Sequence, residues 1–215
     1  MQAQTKTRSS WPHRPESPPR KRPVLSDNLE ETSPKRSYSS NRRNHPEKPF
    51  KQLTIQATLC FILRDDKVLL LKKSKGLFGQ DKWSAPGGKM LPGEEAEYCA
   101  VREVLEETQL AIKNPEQVGI LHFYKNDRRE NPDWTVHVFL SRTFKGIPVR
   151  SREGQIGWFD ANSLSLEEMW EDDRYWSRLA LEGRRFEGWF YYSGDFENLV
   201  DYRIEEDRPL ASVKV

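Results

Sequence analysis

Gly88 is followed after five residues by Glu94, and after seven more by Arg102-Glu103-Val104-Leu105-Glu106-Glu107. Residues 94–108 also carry Ala96, Ala100, Val101, Val104 and Leu105, so the stretch reads as a charged helix with one apolar face. On that helix Glu103 and Glu107 lie one turn apart, and Glu103 and Glu106 nearly so. Three carboxylates therefore crowd one face. Like charges at that spacing destabilise a bare helix by about 0.2–0.5 kcal/mol per pair. An opposing charge must offset this. Arg102 is placed to pair with Glu106, and a divalent cation would neutralise the rest. Carboxylate oxygens suit magnesium or manganese, not zinc. Gly87-Gly88 ahead of the helix lets the backbone approach closely, so a carbonyl there can reach the same ion. Any two of these acids alone would read as an ordinary solvated face. The whole pattern is far more demanding and points to a metal site.

The flanking chain reads as alternating strands and turns. Residues 53–63 are rich in β-branched residues and predict a strand, with a turn at Asp65-Asp66 and a buried strand over 67–71. Residues 72–82, with Gly76 and Gly79, read as a loop. Pro115 lies just past the helix end, and strands follow at about 117–125, 134–143 and 156–159. Ser165-Leu-Glu-Glu168 resembles a capping box. A helix covers about 173–183, and a closing hairpin pairs 188–192 with 199–204 around Gly194-Asp195. Strands with one or two helices packed on them imply an α/β (α+β) fold, a mixed β-sheet sandwiched between helices.

Charge divides the chain. Residues 1–50 carry 11 Lys and Arg against 5 Asp and Glu, a surplus of +6. The whole chain is +2, so the remainder is −4. An acidic domain that acts on a polyanion needs cations as intermediaries. Pro12, Pro15, Pro18, Pro19 and Pro23 block helix formation in the first 50 residues, which read as a disordered basic tail. The organisation expected is a tail over 1–50, a catalytic domain over 51–207 and a flexible C-terminus over 208–215. Arg20-Lys21-Arg22 and Lys35-Arg36 are the places where the tail would touch nucleic acid, but a passive extension is the simpler reading. Cys60 and Cys99 have no metal-ligand spacing and read as reduced core thiols. The chain has no apolar run of membrane-spanning length and no secretory signal pattern, which leads to the expectation of a cytoplasmic monomer without a membrane partner.

Gly88 to Leu110 resembles the Nudix box, a loop–helix–loop that binds metal and the diphosphate of nucleoside diphosphate derivatives. The resemblance makes Glu103, Glu106 and Glu107 the metal-binding and catalytic glutamates. It makes Arg102 the arginine that orients a glutamate, Glu94 a structural member of the motif, and Gly88 the opening glycine that contributes to the metal site. Gln109 stands where the family usually has glycine and is expected to alter the turn that ends the helix. From about Ile55 to Ile204 the chain is similar to the oxidised purine nucleoside triphosphate hydrolase (MutT-like, 8-oxo-dGTP diphosphatase) branch. The segments that carry this are Val136-His-Val-Phe139, Gly146-Ile-Pro-Val149, Trp158-Phe159, Met169-Trp-Glu-Asp-Asp173 and the closing hairpin. The likeness assigns purine hydrogen bonding to Asp172 and Asp173 and stacking to Trp170. Phe78 and Phe123 become apolar pocket residues, and Glu153 an additional acidic metal ligand. Ser84 replaces an asparagine that contacts the base, so selectivity is expected to loosen or shift. Trp176 reads as a core aromatic.

The reaction implied is hydrolysis of 8-oxo-dGTP or 2-hydroxy-dATP to monophosphate and pyrophosphate with Mg2+, or Mn2+ in its place. That would sanitise the nucleotide pool and serve DNA repair. Two alternatives remain open at this level. One is a Nudix hydrolase of other substrates: canonical or methylated nucleotides, ADP-ribose or capped RNA. The other is a Nudix-fold nucleotide sensor without turnover, against which the intact glutamates argue.

Overall fold

The computed structural model describes residues 53–74, 76, 79–126, 129–150 and 154–207. The expected tail over 1–50 and C-terminus over 208–215 lie outside them, as do Phe78 and Glu153. The described strands are β1 (Ile55–Arg64), β2 (Lys67–Lys73), β3 (Trp83–Ser84), β4 (Ala111–Ile112), β5 (Glu116–Lys125), β6 (Trp134–Ser141), β7 (Phe144–Lys145), β8 (Gly154–Asp160), β9 (Phe186–Ser193) and β10 (Asn198–Glu206). The helices are α1 (Ala96–Thr108) and α2 (Asp173–Glu182), with a 3-10 turn over Leu166–Glu168.

One mixed sheet runs in the order β10-β9-β5-β6-β1-β2-β3, with β8 also paired to β2. β1 lies parallel to β6, and β5 parallel to β9. Alternation along β1 separates two cores. Phe61 and Leu63 pack on the face that carries Trp176, Leu179 and Ala180 of α2. Cys60 and Ile62 pack on the opposite face with Ala100 and Val104 of α1. The expected arrangement of a mixed sheet between helices is therefore what the chain forms. No described helix is long and apolar enough to cross a membrane.

Several local expectations need revising. β2 runs to Lys73 because its outer residues pair with β8 (Lys72 with Gln155, Lys73 with Gly154), so the loop begins later than residue 72. α1 begins at Ala96 instead of Glu94 because Glu94 turns back to accept the Leu91 N–H at 2.8 Å. The capping box at Ser165 does not form. Ser165 makes no side-chain cap bond, and Glu168 instead accepts the Trp83 indole N–H at 2.8 Å. A long-range partner thus outcompetes the local one. Gln109 does not alter the helix end either. It adopts φ 64°, the left-handed cap conformation that glycine favours, and its N–H donates to the Leu105 carbonyl. The short β4–β7 ladder (Ala111 with Lys145, Ile112 with Phe144) had no readable pattern.

Candidate functional site

The first half of β1 pairs with a loop on the side that β2 leaves open. Thr58 and Cys60 N–H groups donate to the Gly88 and Pro86 carbonyls at 2.9 and 2.8 Å, and the Met90 N–H donates to the Gln56 carbonyl at 2.9 Å. The glycine loop is therefore held as tightly as a strand, directly before α1. Gly87 is required by that approach: a Cβ there would sit 2.1 Å from the Thr58 carbonyl oxygen. At Gly88 a Cβ would lie 2.5 Å from the Glu103 carboxylate. The absence of a side chain at Gly88 is what lets Glu103 lie over the loop. The Gly88 carbonyl, expected at the metal, already accepts the Thr58 N–H.

The acids of α1 are held in different ways. Arg102 Nε and Nη2 donate to Glu94 at 2.8 Å each, and Nη1 donates to Glu103 at 2.7 Å. Glu106, the partner expected from helical spacing, is reached only at 3.4 Å. The guanidinium holds the Glu94 carboxyl down at about 2. Glu107 is fully buried. Its Oε1 pairs with Lys73 Nζ at the end of β2, and its Oε2 accepts the Gly87 N–H at 2.8 Å. Glu106 is the solvent-facing member, with 58% of its side chain exposed.

The three glutamates share a helix face, but their side chains diverge. Among the described residues no three His, Cys, Asp or Glu side chains stand close enough together to hold a metal ion. The cause is the competing protein cations: Lys73 draws Glu107 inward, and Arg102 draws Glu103 towards Glu94. The donor set still suits a hard divalent cation. It consists of carboxylate oxygens, the ligands such an ion takes, and in this structure the Arg102 guanidinium is the cation that Glu103 and Glu106 share.

A mostly apolar cavity of about 330 Å3 is lined by Gly87, Gly88 and Lys73, and by Asp172, Asp173 and Tyr192 among other residues. Ser84, Phe123 and the neighbouring Trp170, Asp172 and Asp173, three separate stretches of the chain, all line it. Gly79 packs against Trp170, where a Cβ would stand 3.1 Å from the indole. Lys82 Nζ donates to the Met169 carbonyl at 2.9 Å, and Glu168 holds Trp83 and, at 3.7 Å, Lys72. These contacts fasten the loop before the glycine pair to the segment that enters α2.

The two aspartates are buried but differ in their partners. Asp172 accepts the Tyr192 hydroxyl on Oδ1 at 2.6 Å and the Trp176 indole N–H on Oδ2 at 2.9 Å. Asp173 accepts the Trp170 N–H on Oδ2 at 2.9 Å. Burial raises the Asp172 pKa, and the two side-chain donors oppose that rise. Burial raises Asp173 further, with the adjacent Asp172 charge adding to it. Donors on both oxygens favour the ionised form and temper the rise at Asp172, so Asp173 is the member pushed further towards its protonated form. Burial, more than like-charge repulsion within the pair, is the cause.

Lys73 and Tyr192 were not singled out from the sequence. Lys73 ends an apolar run, Val68-Leu-Leu-Leu-Lys-Lys73, and the surplus of acids on α1 was the one sign that a distant cation was needed. Tyr192 had no signal beyond strand alternation. Trp176 is a core aromatic as expected, but its N–H also fixes Asp172.

Residues 53–180 match the NUDIX domain family. The chain is 35% identical over 149 residues to the oxidized purine nucleoside triphosphate hydrolase of Danio rerio, covering 69% of this chain and 93% of that one. The enzyme of the same name from Mus musculus is 34% identical over the same shares. The crystal structure of the MutT protein from Bacillus halodurans superposes with a TM-score of 0.61 at 32% identity, covering 70% of this chain and 97% of that one.

Proposed function

The chain belongs to the Nudix hydrolase family, and on that premise we propose that it is a divalent-metal-dependent hydrolase of oxidised purine nucleoside triphosphates, releasing a monophosphate and pyrophosphate. The observation that carries this reading is a buried aspartate pair lining the same apolar cavity as the glycine pair and as Lys73, which hold Glu107 of the helix. A volume of about 330 Å3 falls at the lower end of small-molecule sites. The names of the Danio rerio and Mus musculus relatives agree with it.

In this reading Glu103, Glu106 and Glu107 hold Mg2+ or Mn2+, with Glu153 as a further acidic ligand. The bound ion would neutralise phosphate oxygens and stabilise the pyrophosphate leaving group. Arg102 keeps Glu103 oriented through its bond at 2.7 Å. Lys73 and the Gly87 N–H each engage one Glu107 oxygen, so the ion would compete with Lys73 for Oε1. A protonated Asp173 donates to the base, an ionised Asp172 accepts from it, and the pair reads a purine edge presenting one acceptor and one donor. Trp170 and Phe123 supply apolar and stacking surface, and Phe78 belongs with them. Ser84 offers one hydroxyl, and here it donates to the Ala85 carbonyl at 3.2 Å. A longer amide at that position would reach further, so base discrimination is looser than in an enzyme carrying asparagine.

The test is a kinetic panel of 8-oxo-dGTP, 2-hydroxy-dATP, dGTP, dATP and ADP-ribose with Mg2+, with and without a chelator. Oxidised purine triphosphates are expected to give the highest kcat/KM, and chelation to abolish turnover. Glu106→Gln and Glu107→Gln are each expected to abolish it too. A preference for ADP-ribose would retire the substrate assignment, and turnover surviving in both variants would retire the ligand assignment.

A further inference from the structure

The β9–β10 turn contributes a ring to the cavity from outside the sheet. Phe196 lines the same cavity as Trp170 and the aspartate pair. Its backbone is left-handed, with φ 63°. Bulky side chains rarely adopt that conformation, and where they do the strain is retained for a reason. The turn itself does not supply one. Gly194, two residues earlier, already provides a left-handed residue at φ 58°, and Gly or Asn at 196 would close the chain with less strain.

The ring is also held in place. It stands edge-on to Tyr192, with centroids 5.6 Å apart and planes at 72°. Lys125 Nζ lies 5.8 Å from its centroid, and that same ammonium pairs with Asp195 at 2.9 Å. Tyr192 in turn donates to Asp172. A strained aromatic residue is thus braced on the tyrosine that orients one of the two aspartates, with its side chain forming part of the cavity wall.

We propose that Phe196 is a substrate-contacting, specificity-determining residue: it presents a second aromatic surface to the nucleobase, besides Trp170, and favours the larger π-face of a purine over a pyrimidine. This rests on the cavity being the base site of a nucleoside triphosphate hydrolase. Base stacking on one aromatic ring corresponds to roughly tenfold or more in affinity, and it acts on binding more than on the chemical step.

The experiment compares wild type with Phe196→Gly, Phe196→Leu and Phe196→Tyr on 8-oxo-dGTP, dGTP and dCTP with Mg2+, together with thermal melts. Phe196→Gly is expected to raise KM for the purine substrates about tenfold, leave kcat within about twofold, and lower Tm by about 2–4 °C, relief of left-handed strain offsetting only part of the packing lost on Tyr192 and the core. Phe196→Leu keeps apolar bulk without a π-face and is expected to raise KM in the same way. Phe196→Tyr is expected to keep the wild-type KM. The proposal is overturned if Leu behaves like Phe, if KM is unmoved in Gly, or if KM rises equally for dCTP. A wild type that turns over none of these nucleotides removes both the base-site reading and this inference, whereas turnover with an unmoved KM removes the inference alone.

Discussion

Replacing Lys73 with methionine would take a cation away from a buried carboxylate. Glu107 has no solvent exposure, and Lys73 and the Gly87 N–H both donate to it. The Lys73 side chain is itself only 18% exposed. Removing one partner of a buried ion pair costs about 3–5 kcal/mol, because the remaining charge stays desolvated. The surviving Gly87 bond and the partial hydration of Lys73 place this case at the low end, about 3 kcal/mol. For a domain of this size each kcal/mol moves Tm by about 2–4 °C, so Lys73→Met should lower Tm by about 6–12 °C. Glu107→Gln keeps the acceptor for Gly87 but removes the carboxylate opposite Lys73. The double variant removes both charges of the pair, and it should recover a large part of the loss, giving a coupling of at least about 1 kcal/mol. Thermal unfolding followed by circular dichroism, at low and at moderate salt, measures all four proteins. A buried pair should respond little to salt. The reasoning fails if Lys73→Met melts within about 2 °C of wild type, or if the two single effects simply add.

Gly88→Ala should push Glu103 from its place, since the new Cβ would sit 2.5 Å from the carboxylate. With Glu103 in its proposed role as a metal ligand, that displacement costs on the order of a hundredfold in turnover, with Tm little changed because the obstructing atoms end a flexible side chain. Steady-state pyrophosphate release measures it. Gln109→Gly should raise Tm by about 1–4 °C, because relief of left-handed strain outweighs the extra freedom of glycine in the unfolded chain; a melt decides it. Burial raises the Asp173 pKa above its ordinary 3.8, so the stability this group contributes is fully present below that value and lost as pH rises through the folded pKa. Asp173→Asn keeps the acceptor for the Trp170 N–H without the charge, so its advantage over wild type should widen from pH 4 upward in denaturant titrations, and a constant difference would contradict the assignment.

Periodicity and spacing made the helix of 94–108, most of the strands and the two acidic clusters legible, because each of those signals lies within a few consecutive residues. The glycine pair was legible for the same reason: close backbone approach leaves its mark at the residue that must lack a side chain. Tertiary structure alone decided the partners. Lys73 and Glu107 lie 34 residues apart, Trp83 and Glu168 85 apart, and Asp172 and Tyr192 20 apart. No local pattern records which cation will neutralise which acid, and a long-range bond can displace the local one that sequence favours, as at Ser165 and Glu168. Helical spacing places Glu103, Glu106 and Glu107 on one face, but burial and competing cations determine where their oxygens point. The same holds for the aspartates: adjacency in sequence announces the pair, and only the donors brought by β9 and α2 temper the rise at Asp172 and leave Asp173 pushed further up.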